Sequence, residues 1–157
     1  MTELDEDDDL HLEMHRAVDE LGKFSLHMQM NFGKGAPANK AISFVEELLI
    51  QVTDACLHHG ADLIGHVKAF MMVDEGSNVG FSLIHQKMQV NITRQLKSDI
   101  VENADVIVHV IVHGIWDPEV RELTMGVLDG LSKSREITFH VIKDYYETEK
   151  SVEHHGG

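Results

Sequence analysis

Basic residues are scarce in this chain: 13 lysines and arginines stand against 27 aspartates and glutamates, a formal net charge of −14 over 157 residues. That balance excludes a general nucleic-acid binder and a module for anionic membranes, because both need a basic face. Cysteine is scarcer still. One thiol, Cys56, excludes an intrachain disulfide framework and a Cys-rich zinc site. No apolar run approaches the ~20 residues of a spanning helix. Met1–Asp9 has neither the basic nor the apolar stretch of a signal peptide, so a soluble, cytoplasmic domain is expected. Nucleophile signatures are missing too: there is no Gly-x-Ser-x-Gly elbow and no Ser/His/Asp pattern.

What is present suits one folded unit. A hydrophobic content of 43% supports a real core, and single domains most often run roughly 100–150 residues. The expected organisation is an acidic tail over 1–9, one α+β domain over 10–147, and a second tail over 148–157. In the first tail, Glu3 and Asp5 to Asp9 repel one another and favour solvation. Leu10, Met14, Ala17, Val18 and Leu21 then recur at helical spacing, with Gly22 as the stop.

Strict alternation follows. Phe24, Leu26, Met28, Met30 and Phe32 share one face of a strand, and Ser25, His27, Gln29 and Asn31 share the other. The Gly33–Pro37 turn breaks it, and Asn39 can cap a helix whose stripe is Ile42, Val45, Leu49, Val52 and Cys56, with Gly60 at its end. A strand over 62–73 would place Leu63, Val67, Ala69, Met71 and Val73 on one face. Ile64, His66, Lys68, Phe70 and Met72 fall on the other. Asp74–Asn78 reads as a hairpin turn. One long strand or a pair occupies 79–96, where the apolar phase slips and suggests a bulge near Ile84–Lys87. Val106, Val108, Val110 and Val112 mark a central strand, with Ile107, His109, Ile111 and His113 on its reverse. Asp117 as N-cap and Pro118 open a last helix carrying Val120, Leu123, Val127, Leu128 and Leu131, before a strand over 136–145.

The order is a helix followed by βαβ-β-βαβ. Two similar halves, 24–73 and 104–145, flank additional strand. The right-handed crossover rule puts both crossover helices on one sheet face. The expected fold is thus a ferredoxin-like α+β sandwich on a mostly antiparallel sheet, with an N-terminal helix.

Twelve histidines are the unusual feature. His11 and His15 sit four apart on the expected first helix, but His-Leu-Glu-Met-His is not the zinc-protease order, and a solvated helix face is the plainer reading. His66, His109 and His113 fall on strand faces opposite the helices. His109 and His113 are ~13 Å apart along a strand and cannot share an ion. His66 and His109 could do so across neighbouring strands, with His85 joining through the irregular strand. Zinc or nickel would suit such imidazoles; ordinary polar positions on a half-covered sheet are the alternative. The Gly33–Lys40 turn is locally basic, so Lys34, Lys40 and backbone amides make a candidate weak anion site. It lacks the Gly-Lys-Ser/Thr ending of a P-loop, which argues against nucleotide hydrolysis. Cys56 falls on an apolar stripe and reads as a buried structural thiol.

The passage Leu57-His58-His59-Gly60-Ala61-Asp62-Leu63-Ile64-Gly65-His66-Val67-Lys68 resembles accessory C-terminal regions of CobW-type metallochaperone GTPases. The similarity spans about a third of the chain. The family's GTPase half, with its Walker lysine and Cys-rich metal motif, has no counterpart. The resemblance implies an accessory binding domain serving metal delivery or cofactor assembly, and does not imply GTP hydrolysis. The expected function is a non-enzymatic binding or assembly module. It would use the face bearing Ile64, His66, Phe70, Ile107, His109 and Ile111 for a homo-oligomer or a protein partner. The competing class is a small enzyme with histidine acid/base groups at a subunit interface.

Overall fold

The computed structural model of the chain describes residues 21–146. The elements are β1 (Leu21–Asn31), α1 (Ala38–His58), β2 (Leu63–Asp74), β3 (Ser77–Ile84), β4 (Gln89–Gln95), β5 (Asn103–His113), α2 (Asp117–Arg135) and β6 (Thr138–Asp144). They form one six-stranded sheet in the order β4-β3-β2-β5-β1-β6, antiparallel at every pairing. In β1-α1-β2 the connection skips over β5, and in β5-α2-β6 it skips over β1. The four strands β2-β5-β1-β6 thus have the ferredoxin-like arrangement. The additional strand between the halves is a hairpin, β3–β4, which extends the sheet beyond β2. No helix among the described residues is long and apolar enough to cross a membrane.

Alternation decides which side of the sheet the helices cover. Phe24, Leu26, Met28 and Met30 of β1 and Val106 to Val112 of β5, taken alternately, are buried against the helices. Val67, Ala69 and Met71 of β2 continue that surface. Leu48, Leu49, Val52 and Cys56 of α1 and Val120, Leu128 and Leu131 of α2 close over it. Phe32 and Phe44 meet edge to face at 6.2 Å. Arg135 pairs with Glu47 between the helices, and Arg121 of α2 ties to Asp144 of β6 at 2.8 Å.

Several local features differ from the sequence reading, each for an identifiable reason. The cap of α1 is Pro37, not Asn39; the Asn39 carboxamide oxygen instead accepts from Arg94 at 3.2 Å. The cap of α2 is Trp116, one residue before Asp117; the Asp117 carboxylate accepts the Lys23 amide at 2.8 Å and pins the start of β1. Leu21 and Gly22 do not end a helix. They begin β1, opposite His113 and Val112. The phase slip after Ile84 is a 3-10 turn over His85–Lys87, closed by Met88 at φ 46°, so the expected bulge is a reversal between two strands. The expected helix over 10–20 lies outside the described residues.

A true bulge sits earlier, at Gly65, between Ile64 and His66. An added Cβ there would stand 3.0 Å from the Ile111 carbonyl oxygen, so any side chain at this position requires the neighbouring backbone to give by a few tenths of an ångström. The bulge swaps the parity of the residues before it. Ile64 pairs with Val112 and packs on the core, whereas Leu63 pairs with His113 and is 62% exposed. Strict alternation had placed these two the other way round.

Glycine positions give opposed stability predictions. An added Cβ at Gly22 would lie 2.1 Å from the Ile115 carbonyl oxygen and 2.9 Å from Val120 Cγ2. Gly22→Ala should therefore cost at least about 1–3 kcal/mol in urea unfolding, as overpacking does. Gly126→Ala in α2 meets open space and should gain roughly 0.5–1 kcal/mol from helix propensity. Leu128→Ala, removing a fully buried side chain, should cost about 2–5 kcal/mol.

Candidate functional site

One face of the sheet carries both helices, and nothing among the described residues covers the other. Its residues follow from strand register. Ile107 of β5 stands between His27 of β1 and Phe70 of β2, and Gly80 and Thr93 continue that row across β3 and β4. The adjacent row runs Ser25, His109, Lys68, Ser82 and Asn91. On the opposite flank lie Gln29, Asp105 and Met72. Phe70 and Met72 remain 41% and 44% exposed. Because Gly80 has no side chain and an added Cβ there would touch nothing, the two rows enclose a hollow of about 670 Å³ between Phe70, Ile107, Lys68 and His109. It has an apolar floor and a rim of hydroxyl, amide and cationic groups.

The face is also electrically distinct. Lys23, Lys68 and Lys143 stand on it, the last placed there by its pairing with His27. Asp105 is a carboxylate on the same face, between Gln29 and Met72 and 3.7 Å from His27 Nε2. Asp62, at the end of the sheet, meets His113 Nδ1 at 2.5 Å. In an acidic chain this is a local reversal of sign.

The candidate metal ligands separate in space. His66 lies opposite Ile111, and His109 opposite Lys68, so the two histidines are diagonal neighbours and do not face each other. That register runs unbroken from His66 to Met72. His109 Nδ1 contacts Ser25 Oγ at 2.6 Å. His113 is engaged by Asp62, and His85 sits in the β3–β4 turn. No group of three or more His, Cys, Asp or Glu among the described residues is arranged to hold an ion. The geometry therefore does not bring His66, His109, His85 and His113 into one ligand set.

The candidate anion site is likewise occupied from within. The Gly35 amide donates to the Glu102 carboxylate at 2.8 Å, and the Gly33 amide to Asn31 Oδ1 at 2.9 Å. The Ala38 amide, at the helix start, donates to the Asp99 carbonyl at 2.6 Å. The segment after β4 folds over this turn through a bridge between Pro37 and Ile100. Amides that would cradle an anion beside Lys34 and Lys40 are spent, one of them on a carboxylate that would repel it. The sequence reading missed Glu102 because its approach spans a separation of 67 residues. It also missed Ser25, Ser82, Asn91 and Thr93 as rim residues; their polar strand phase was the available signal.

Comparison with family models, with curated proteins and with solved structures finds no match for this chain.

Cys56 lies in the core, where burial pushes its thiol from 9.0 up to about 11. The reactive thiolate is thus suppressed at neutral pH. Ellman's reagent or iodoacetamide at pH 8 should leave Cys56 unmodified in the native protein and label it fully in denaturant. Rapid labelling of the native state would contradict the buried placement.

Proposed function

We propose that this chain is a non-enzymatic binding or assembly module that works in the cytoplasm and receives a protein segment or a second copy on the open sheet face. The single observation supporting this is the face itself: six strands wide, with Phe70, Met72, Ile107 and Ile111 set among lysines and histidines around the Gly80 hollow. Apolar anchors within a polar rim are the composition of a binding surface. The resemblance of residues 57–68 to CobW accessory regions favours a role beside metal delivery or cofactor assembly. In that role a metal such as zinc or nickel travels with the partner or takes ligands from both, because the described histidines make no complete set.

One contact favours the competing reading, an enzyme with histidine acid/base groups at a subunit interface. Ser25 Oγ and His109 Nδ1 are at nucleophile–base distance. Yet the residue facing His109 from β2 is Lys68. A cation there cannot orient the imidazole as a carboxylate would, so the pair reads better as part of the rim.

Fluorescence anisotropy of a labelled, synthetic acidic amphipathic peptide on the full chain distinguishes the two. Ile107→Glu or Ile111→Glu should weaken binding at least about tenfold, equivalent to ~1.4 kcal/mol, with helix content by circular dichroism unchanged. Ser25→Ala should leave binding within about twofold, since one rim hydroxyl is worth little beside the apolar anchors. A wild type that neither binds the peptide nor associates with itself up to millimolar concentration would sink the binding reading.

A further inference from the structure

A sheet that ends in a strand ends in unpaired amides and carbonyls, and natural sheets blunt such edges with charge, proline or a bulge. β6 has two of these devices. A register shift opposite His27 and Met28 leaves Ile142 out of the pairing, and Lys143 stands beside it. β4, at the other edge, has none. Its seven residues pair with β3 in one unbroken register, and no strand among the described residues lies on its outer side. It holds no proline and no acidic residue. Arg94 is its one charge, and that side chain turns to the helix side, where it donates to Asn39 of α1. Val90 and Ile92 pack against the core yet remain only partly buried. So regular an edge is open to a further strand.

β4 is complementary to itself. An antiparallel pair in which the whole of β4 overlaps sets Ile92 against Ile92 of a second copy, on a twofold axis. Val90 then faces Arg94, Asn91 faces Thr93, and Gln89 faces Gln95. Each pair keeps to one side: apolar groups and the Arg94 stem on the helix side, amides and hydroxyls on the open side. A slip of one residue would set the apolar row against the polar one. From Gly76 to Ser98 the chain has no aspartate or glutamate, so two copies of net charge −14 meet where carboxylates are absent. We propose that two copies of this chain join β4 to β4, making one continuous sheet through both. About six to eight main-chain hydrogen bonds form along ~24 Å of edge, and Val90 and Ile92 lose much of their remaining exposure. The contact is one strand wide, and Lys87 approaches Lys97 of the copy at each end, so the dimer is a weak, exchanging one. Its consequence concerns the hollow. β3 and its copy stand three strand spacings apart, ~14 Å, and the rim residues Asn91 and Thr93 meet across the axis. The dimer thus presents two hollows with a shared rim and leaves the open face free, so a partner with two binding segments engages both.

Sedimentation velocity of the full chain from low micromolar to millimolar concentration tests this. The expected result is a monomer–dimer equilibrium that stops at the dimer. The double variant Asn91→Lys/Thr93→Lys, at two exposed positions, sets lysines against lysines across the axis. It should weaken association at least about tenfold, with circular dichroism unchanged, while Ile107→Glu stays within about twofold of wild type. The reverse pattern would assign the dimer to the open face and overturn the edge pairing. A monomer throughout, or growth beyond the dimer as β4 on β6 would give, overturns it as well. Cysteine variants test the register. Facing Cα atoms ~4.5–5.5 Å apart fit a disulfide, so Ile92→Cys treated with copper phenanthroline should become a covalent dimer, with the buried Cys56 taking no part. Asn91→Cys mixed with Thr93→Cys should give mainly the mixed disulfide by intact mass. Equal yields of like and mixed pairs, or no cross-link at Ile92→Cys, overturn the pairing. None of these outcomes depends on peptide binding to the open face, which stands or falls separately.

Discussion

Two crossovers of one hand shape everything else in this molecule. β1 and β2 run parallel with β5 between them, and β5 and β6 run parallel with β1 between them. A right-twisted strand followed by a right-handed connection returns its helix to one side only. Applied twice, that rule puts α1 and α2 together on one face, where Phe24 to Met30 and Val106 to Val112 supply the apolar surface they need. The same rule leaves the opposite face without a layer from the described residues. The open face follows from the same topology that builds the core.

Close backbone approaches then decide what that surface contains. At Gly65, β2 comes close to the Ile111 carbonyl, where an added Cβ would stand at 3.0 Å, and the bulge there turns Ile64 inward and Leu63 outward. Beyond it the register runs unbroken from His66 with Ile111 to Met72 with Asp105, which leaves His66 diagonal to His109 and removes the straight cross-strand imidazole pair. Gly80 acts by omission. The missing side chain between Phe70 and Thr93 turns a flat sheet into a hollow.

Charge is partitioned as sharply as hydrophobicity. Nine of the 27 acidic residues fall within residues 1–20, while Lys23, Lys68 and Lys143 stand on the open face. Around the Gly33–Lys40 turn, by contrast, Glu102 and Asp99 neutralise backbone donors that otherwise attract anions. The one locally basic turn visible along the sequence is thus satisfied internally. The basic surface that remains is assembled from lysines on three separate strands.

Periodicity in the sequence was enough to determine the six-residue-scale facts. Alternation from Phe24 to Phe32 and from Val106 to Val112 identified two central strands, and the stripes Ile42–Cys56 and Val120–Leu131 identified two helices. Hydrophobic period is local, so it survives without knowledge of the partner. The right-handed rule then carried these elements to a ferredoxin-like arrangement, because chain connectivity limits the topologies. Whether residues 79–96 hold one strand or two stayed open, since the 3-10 turn at His85–Lys87 breaks phase just as a bulge would. What only the tertiary structure decided was every question of register: which way Ile64 points, whether His66 faces His109, whether the amides beside Lys34 and Lys40 are free. These questions turn on contacts between residues far apart in the chain, such as the Gly65 backbone with the Ile111 carbonyl and the Gly35 amide with the Glu102 carboxylate. One residue of slip exchanges the faces of a strand, and no local pattern encodes it.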